Sequence, residues 1–144
     1  MYFDDIKLGM CVDIAPVTIK KEKMLQFARD YDNSPLHVDE EYAKTTPFGR
    51  LIAPGVMSFM SVWVKYLEVD FFGKELLAGK STKIEWHKPV YAEDSLHGKA
   101  VITNLVRRNA RNGIVEITIE AYNQNNVHVL TDVTEAIVKC ADVR

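Results

Sequence analysis

One segment constrains the fold of this chain more than any other. GVMSFMSVWVKYLE, residues 55–68, is apolar on nearly every side if it is helical. Only Ser58, Ser61 and Lys65 interrupt it, and their spacing places them on a single stripe. Such a stripe is more often a polar seam or a subunit contact than a catalytic group. A helix that is apolar all round is usually buried on most faces, so the rest of the chain has to cover it.

Strands in the rest of the chain can supply that cover. Apolar and polar residues alternate most clearly over residues 115–121, the pattern of a strand with one buried face. Five segments have strand character: 10–17, 82–87, 95–105, 115–121 and 127–140. Turns predicted at Asn109–Gly113 and Gln124–Asn126 suggest that the last four strands form an antiparallel meander. The class is therefore α+β, with about five antiparallel strands wrapped around one long central helix.

Length and charge limit the organisation and the partners. A chain of 144 residues without internal repeats is expected to form one domain, residues 1–144. The formal net charge of −2 gives no reason to expect a nucleic acid or a membrane as partner. The N-terminus has acids where a secretory signal has lysines, and the longest apolar run stops at Lys65. These features predict a cytoplasmic protein, in which Cys11 and Cys140 are free thiols rather than a disulfide.

The segment DYDNSPLHVDE, residues 30–40, concentrates polar side chains between two predicted helices. The first helix is predicted to be capped by Thr18 and to reach Tyr31, and the second to span Asp39–Lys44. Pro35 disfavours helical geometry at the residue before it, so the intervening stretch is expected to be a fixed, extended loop. Loops held by rigid elements are where catalytic side chains tend to lie.

Asp32 and His37 are the chemically interesting pair in this segment. An imidazole beside a carboxylate can polarise a water and exchange protons with a substrate near neutral pH. The competing interpretation is an ordinary turn with a surface histidine, which composition alone favours. A metal site is a third interpretation, because Asp39 and Glu40 are further possible ligands. The spacing fits no zinc pattern, however, and both of these acids suit a helix start.

The segment FGRLIAPG, residues 48–55, lies just ahead of the long helix. The first amides of a helix have no intrahelical acceptor, so the amide at Gly55 can hold a developing oxyanion. The alternative is that the Pro-Gly pair only starts the helix. The remaining histidines, His87, His97 and His128, share no motif and are expected to be structural or surface residues.

Taken together, these segments resemble the MaoC-like dehydratases, which include the (R)-specific enoyl-CoA hydratases. The family pattern is Asp, a variable residue, Asn, Pro, an aliphatic residue and His. It continues with H-x-D, then Phe-Gly, then Ile-Ala-x-Gly before a long helix. Residues 27–57, FARDYDNSPLHVDEEYAKTTPFGRLIAPGVM, match most of it, and FDDIKLGM and IEWHKPVYAEDSL extend the likeness over most of the chain. The resemblance implies a hot-dog fold, in agreement with the helix and sheet predicted above.

The resemblance implies roles for four residues. Asp32 and His37 match the catalytic pair, and Gly55 matches the glycine whose N–H faces the thioester carbonyl. Ser34, which replaces the usual Asn, is the other candidate substrate-binding residue. The implied reaction is the reversible addition of water to a trans-2-enoyl-CoA, giving an (R)-3-hydroxyacyl-CoA. Coenzyme A is part of the substrate, and no other cofactor and no metal are implied.

Two further positions depart from the family pattern, and other functions stay open. Pro54 replaces a common His, and Tyr31 replaces the Gly before the Asp.

An acyl-CoA thioesterase is one alternative, although the only acid on the central helix is Glu68, at its far end. A non-catalytic acyl-CoA-binding or regulatory subunit is the other. The resemblance also implies a homodimer joined edge to edge, and an open sheet independently leaves edges that proteins tend to cover.

Overall fold

The structure is a computed structural model that describes residues 1–142. Within this range the helices are α1 (Lys21–Tyr31), α2 (Pro35–Val38), α3 (Glu40–Lys44) and α4 (Gly55–Val69). The strands are β1 (Cys11–Thr18), β2 (Leu76–Trp86), β3 (Ser95–Arg107), β4 (Asn112–Tyr122) and β5 (His128–Lys139). Over residues 1–142, none of the helices is both long and apolar enough to cross a membrane.

The five strands form one antiparallel sheet in the order β1-β3-β4-β5-β2. Strands β3, β4 and β5 are the predicted meander. The prediction is wrong for β2, which pairs with β5 at the opposite end of the sheet from β3. The connection between β2 and β3, residues 87–94, is long enough to cross the sheet instead of turning back, since an extended chain spans about 3.3 Å per residue.

Helix α4 packs against one face of this sheet, and together they form the core. Its buried side chains include Phe59, Val62 and Tyr66, and they face the fully buried residues Ile102 and Ile117 of the sheet. Strands β4 and β5 alternate buried and accessible residues, as a sheet with one covered face does. One long helix thus packs against a five-stranded antiparallel sheet, which confirms the predicted α+β class and the hot-dog fold.

One face of α4 is not buried, contrary to the prediction for an all-round apolar helix. Four of its apolar side chains are about half exposed: Val56 (49%), Met60 (47%), Val64 (48%) and Leu67 (48%). Their spacing places them on one side of the helix, and we call them the α4 stripe. By contrast Ser58 is buried, and Ser61 donates its hydroxyl to the carbonyl of Met57 at 2.8 Å. The apolar residues, rather than the serines, are therefore the ones left uncovered.

The helix starts differ in detail from the predictions. Thr18 ends β1 instead of capping α1, and Lys20 takes the N-cap position without a side-chain bond. Ser34 is extended as predicted, but Pro35–Val38 forms one helical turn, because proline suits the first position of a helix. Asp39 accepts a hydrogen bond from the Tyr42 amide at 3.1 Å and so caps α3, as its place at a helix start suggested.

A buried carboxylate lies between β5 and α4. Asp132 is fully buried and accepts hydrogen bonds from the hydroxyls of Thr82 and Thr134. Burial raises the pKa of Asp132, while the two hydroxyl bonds act in the opposite direction. Burial, together with the nearby charge of Asp132, raises the pKa of Tyr66 to about 12. The sheet thus carries an acid that is better accommodated in its neutral form.

We expect Asp132→Asn to change how stability depends on pH. The folded-state pKa lies above the unfolded value near 3.8, so the folded state binds the proton more tightly. The contribution of Asp132 to the free energy of unfolding therefore falls as pH rises from about 3.8 through the folded-state pKa. Urea unfolding across this range should show that the stability of the variant, relative to that of the wild type, increases as the pH rises. If the free energy of unfolding of the wild type, relative to that of the variant, increases as the pH rises, the result would contradict this account.

Candidate active site

A cavity of about 470 Å³ opens where the loop after α1 meets the start of α4. Its walls come from that loop, from residues 48–56, from Ser58 and from residues 86–90 at the end of β2. Three of the predicted site residues, Asp32, His37 and Gly55, line it together. Residues far apart in the sequence therefore meet in one accessible space.

Asp32 and His37 face each other in this cavity. Asp32 Oδ2 lies 3.3 Å from His37 Nε2. The histidine side chain is only 9% exposed, whereas the aspartate side chain is 47% exposed. The imidazole is thus held in the wall, and the carboxylate is the member of the pair that meets solvent or a ligand.

A backbone carbonyl fixes the tautomer of His37. Its Nδ1 lies 2.7 Å from the oxygen of Ile52, which can only accept a hydrogen bond, so Nδ1 carries a proton and donates. In the neutral imidazole the lone pair is then on Nε2, facing Asp32. Two acceptors at 3.3 Å repel each other unless a proton lies between them or a water beside them donates to both. This geometry suits a pair that holds a water and exchanges its proton.

The carbonyl that orients His37 is itself held by the surrounding backbone. The amide of Ile52 donates to the carbonyl of Leu36 at 3.4 Å, and that of Ala53 donates to Val90 at 2.8 Å. These bonds tie the segment before α4 to α2 on one side and to the connection after β2 on the other. The position of the imidazole therefore depends on three segments of the chain.

The N-terminus of α4 adjoins the pair. Pro54 is extended at the N-cap position, and Gly55 is the first helical residue, so its amide is one of the helix donors that no intrahelical carbonyl can accept. The indole Nε1–H of Trp86 donates to the Gly55 carbonyl at 2.8 Å. A Cβ at position 55 would lie only 2.4 Å from Trp86 Cε2, so any other residue there would displace the indole or the first turn of α4.

Ser34 is the predicted site residue that does not line the cavity. Its carbonyl accepts from the amide of His37 at 2.9 Å, and its side chain does not cap α2. Its contribution in the structure is therefore a main-chain hydrogen bond within the loop that carries the histidine. Where a longer amide side chain is usual in the resembled family, this chain holds the loop through main-chain bonds.

The prediction of candidate residues missed several that line the cavity. Trp86 and Ser58 lie beside Gly55, and His87 and Lys88 line the cavity together with Phe48. Trp86 had a usable signal, because its place in the alternation of β2 puts it on the face turned towards α4. The others had none, since single residues outside a motif do not reveal which wall of a cavity they form.

The acids named as further metal ligands have other roles. Asp39 caps α3, and Glu40 forms an ion pair with Lys21, which lowers the pKa of that carboxyl. Neither lines the cavity. Within residues 1–142, no group of three or more His, Cys, Asp or Glu side chains is arranged to hold a metal ion.

Comparison with known proteins places this geometry in context. The sequence profile described as MaoC like domain matches residues 6–125. The chain is 28% identical to the uncharacterized protein YdeM of Bacillus subtilis, over 96% of this chain and 99% of that protein. It is 39% identical to an (R)-specific enoyl-CoA hydratase of Rhodospirillum rubrum, over 57 residues, which is 40% of each chain. A monoamine oxidase regulatory protein from Archaeoglobus superimposes with a TM-score of 0.94 at 26% identity, covering 99% of this chain and 96% of that one.

Proposed function

Because the chain belongs to the MaoC-like domain family, we propose that it catalyses the reversible addition of water to a trans-2-enoyl-CoA. The product is an (R)-3-hydroxyacyl-CoA. The family and the partial likeness to an (R)-specific enoyl-CoA hydratase support a hydratase or dehydratase. The observation that carries the proposal is the Asp32–His37 pair, 3.3 Å apart in a cavity that also contains the first amide of α4.

The proposed mechanism uses the pair as one unit. A water held by Asp32 and His37 attacks C3 of the enoyl thioester while the pair takes its proton. The pair then returns a proton to C2, so that water adds across the double bond without net loss or gain of protons. Negative charge that develops on the thioester oxygen is stabilised by the Gly55 amide and the positive end of α4. Because both side chains act on the same water, base and acid are not divided between them.

A panel of thioesters tests the proposal. Enoyl-CoA and 3-hydroxyacyl-CoA substrates of increasing acyl length are supplied, and hydration is followed separately from release of free CoA. We expect hydration and dehydration without CoA release. CoA release without hydration would establish a thioesterase in its place, and binding without turnover across the panel would establish a binding or regulatory role.

The structure gives little support to the thioesterase alternative. Glu68, the one acid on α4, is exposed near the C-terminal end of the helix and pairs with Lys65 at 3.2 Å. The cavity lies at the other end of the helix, and Glu68 does not line it. The regulatory alternative has one supporting finding, the structural likeness to the Archaeoglobus regulatory protein.

A homodimer is part of the proposal. The α4 stripe is an uncovered apolar surface, and exposed apolar patches of this kind mark interaction sites. Strand β2 is an edge that pairs on one side only, with β5, and it carries the exposed residues Leu76, Leu77 and Trp86. A second copy that pairs along β2 and covers the α4 stripe would bury both features.

Val64→Glu should therefore dissociate the dimer. A carboxylate placed on the α4 stripe would have to be buried without a partner in the proposed interface. Light scattering after size-exclusion chromatography should give a dimer for the wild type and a monomer for this variant. Val106→Glu is the matched control, because Val106 is a valine with the same 48% exposure on β3. A dimer that survives Val64→Glu, or that is lost equally in the control, would count against this interface.

A further inference from the structure

Two histidines and a tyrosine form a row across the accessible face of the sheet, the face turned away from α4, and His87, which also lines the cavity at the start of α4, adjoins the end of this row. His97 lies opposite Tyr122, and Tyr122 lies opposite His128, on three adjacent strands. Neighbours in sequence such as Ala121 are buried, so the members of the row point the other way. The ring centroids are 6.0 Å apart for His97 and Tyr122, 5.0 Å for Tyr122 and His128, and 4.5 Å for His128 and His87.

At one end of the row, two imidazoles converge on the same atom. His87 Nε2 lies 2.9 Å from Thr131 Oγ1, and His128 Nε2 lies 3.1 Å from it. A hydroxyl has one proton, so it donates to one ring nitrogen and accepts from the other. The structure thus aims the equivalent nitrogen of both rings at a common point. His87 is exposed and His128 is half-buried, so this point is accessible from solvent.

We propose that His87 and His128 form a two-imidazole binding site for a late first-row divalent ion, Ni²⁺ or Cu²⁺. The ion binds both Nε2 atoms and displaces them from their shared hydrogen bonds to Thr131, and water completes its coordination. Imidazole is a good ligand for these ions, which accept square-planar or tetragonal geometry with nitrogen and oxygen ligands.

The spacing of the rings agrees with this geometry. With metal–nitrogen bonds of about 2.0 Å, two imidazoles in adjacent positions of a square-planar ion have centroids roughly 4.5 Å apart, whereas tetrahedral angles require roughly 5 Å. The observed centroid distance between His87 and His128 is 4.5 Å. The two rings therefore already have the separation that this geometry requires.

The backbone beneath the pair is held in place. The amide of His87 donates to the carbonyl of Val129 at 2.8 Å, and Thr131 lies in β5 between the paired residues Glu85 and Glu120. Two ligands on a rigid support bind as a chelate, because the second bond forms at a high effective concentration. The part of the chain that the structure describes offers no third His, Cys, Asp or Glu ligand here. The site is therefore an exchangeable one and not a structural metal centre.

Titration calorimetry with NiCl₂ tests the proposal on the full-length chain without a histidine tag. We expect one ion per chain in the wild type and an affinity at least about 10-fold lower in His87→Ala and in His128→Ala, since each variant leaves one ligand and loses the chelate. Having both single variants keeps the test valid if one of them folds poorly. His97→Ala is the matched control, because its ring belongs to the same row but makes no contact with Thr131, and it should bind as the wild type does.

Other outcomes would overturn the proposal. They are a wild type that binds no Ni²⁺, single variants that bind unchanged, and binding lost in His97→Ala. Loss of binding in Cys11→Ser would place the ion on the exposed thiol instead. If Ni²⁺ binding is lost in His37→Gln but kept in the other variants, the ion lies at the Asp32–His37 pair, and this too would overturn the proposal.

Discussion

Hydration of an enoyl-CoA should slow by about 10²–10⁴-fold when either Asp32 or His37 is replaced, which is the usual contribution of a positioned acid–base group. Asp32→Asn removes the negative charge and keeps the shape, and His37→Gln keeps a polar side chain but cannot carry a proton between its partners. Because the two side chains hold the same water, the double variant should be little worse than the poorer single variant. The loss should appear mainly in kcat, since neither group is expected to bind the bulk of coenzyme A. Steady-state kinetics with the best substrate of the thioester panel measures it.

Asp30→Asn is the matched control for the pair. Asp30 is an exposed acid near Asp32 in sequence, and its carboxylate accepts hydrogen bonds from Gln26 at 3.1 Å without lining the cavity. This variant should retain the wild-type rate. Equal rates in the wild type and in both variants of the pair would disprove the assignment of the site. A loss of rate in Asp30→Asn as large as in the two variants of the pair would show that this part of the chain is merely sensitive to the loss of a negative charge.

The sequence predicted the central helix and the strands because their signals are local. Apolar periodicity over residues 55–68 and alternation over residues 115–121 depend only on neighbouring positions, and both elements occur in the structure. The order of the strands is not a local property. Strand β2 alternates like the strand of a meander, yet it pairs with β5, because the connection after it is long enough to reach across the sheet.

The exposed side of α4 shows a second limit of sequence patterns. An apolar side chain that meets its own sheet and one that would meet another copy of the chain give the same pattern along the helix. Residues such as Met60 and Val64 therefore looked like core positions, and the structure leaves them half exposed. The pattern showed that the apolar faces of the helix must be covered. It did not show whether the chain's own sheet or a second copy of the chain covers them.

The candidate site was predictable to the extent that it depends on motif spacing. Asp32 and His37 lie close in sequence, and the single turn of helix α2, which carries His37, brings the side chains together. The group that orients the imidazole is the carbonyl of Ile52, and a main-chain atom has no side-chain signature. The cap predicted at Thr18 failed for a related reason: a threonine suits a strand end as well as a helix start, and the strand extends through it.

The cavity also depends on the contact between Gly55 and Trp86, which Gly55→Ala should disrupt. The new methyl carbon would lie 2.4–2.8 Å from three atoms of the indole, so the ring or the first turn of α4 has to move. The indole is about half exposed and can move, so the cost in the free energy of unfolding should be at most the roughly 1–3 kcal/mol that overpacking a core costs. The hydration rate should fall by about 10²-fold as well, because a displacement near 1 Å at a reacting centre has an effect of that size.

Removing the indole should reverse the sign of the stability effect. In a Trp86→Ala background the methyl group at position 55 meets no ring. Alanine is a better helix former than glycine by about 0.5–1 kcal/mol, so Gly55→Ala should then be neutral or slightly stabilising. A double-mutant cycle in urea isolates this coupling between the two positions. If Gly55→Ala lowers stability equally with and without the indole, the clash is not the cause, and the need for glycine must lie in the backbone at the start of α4.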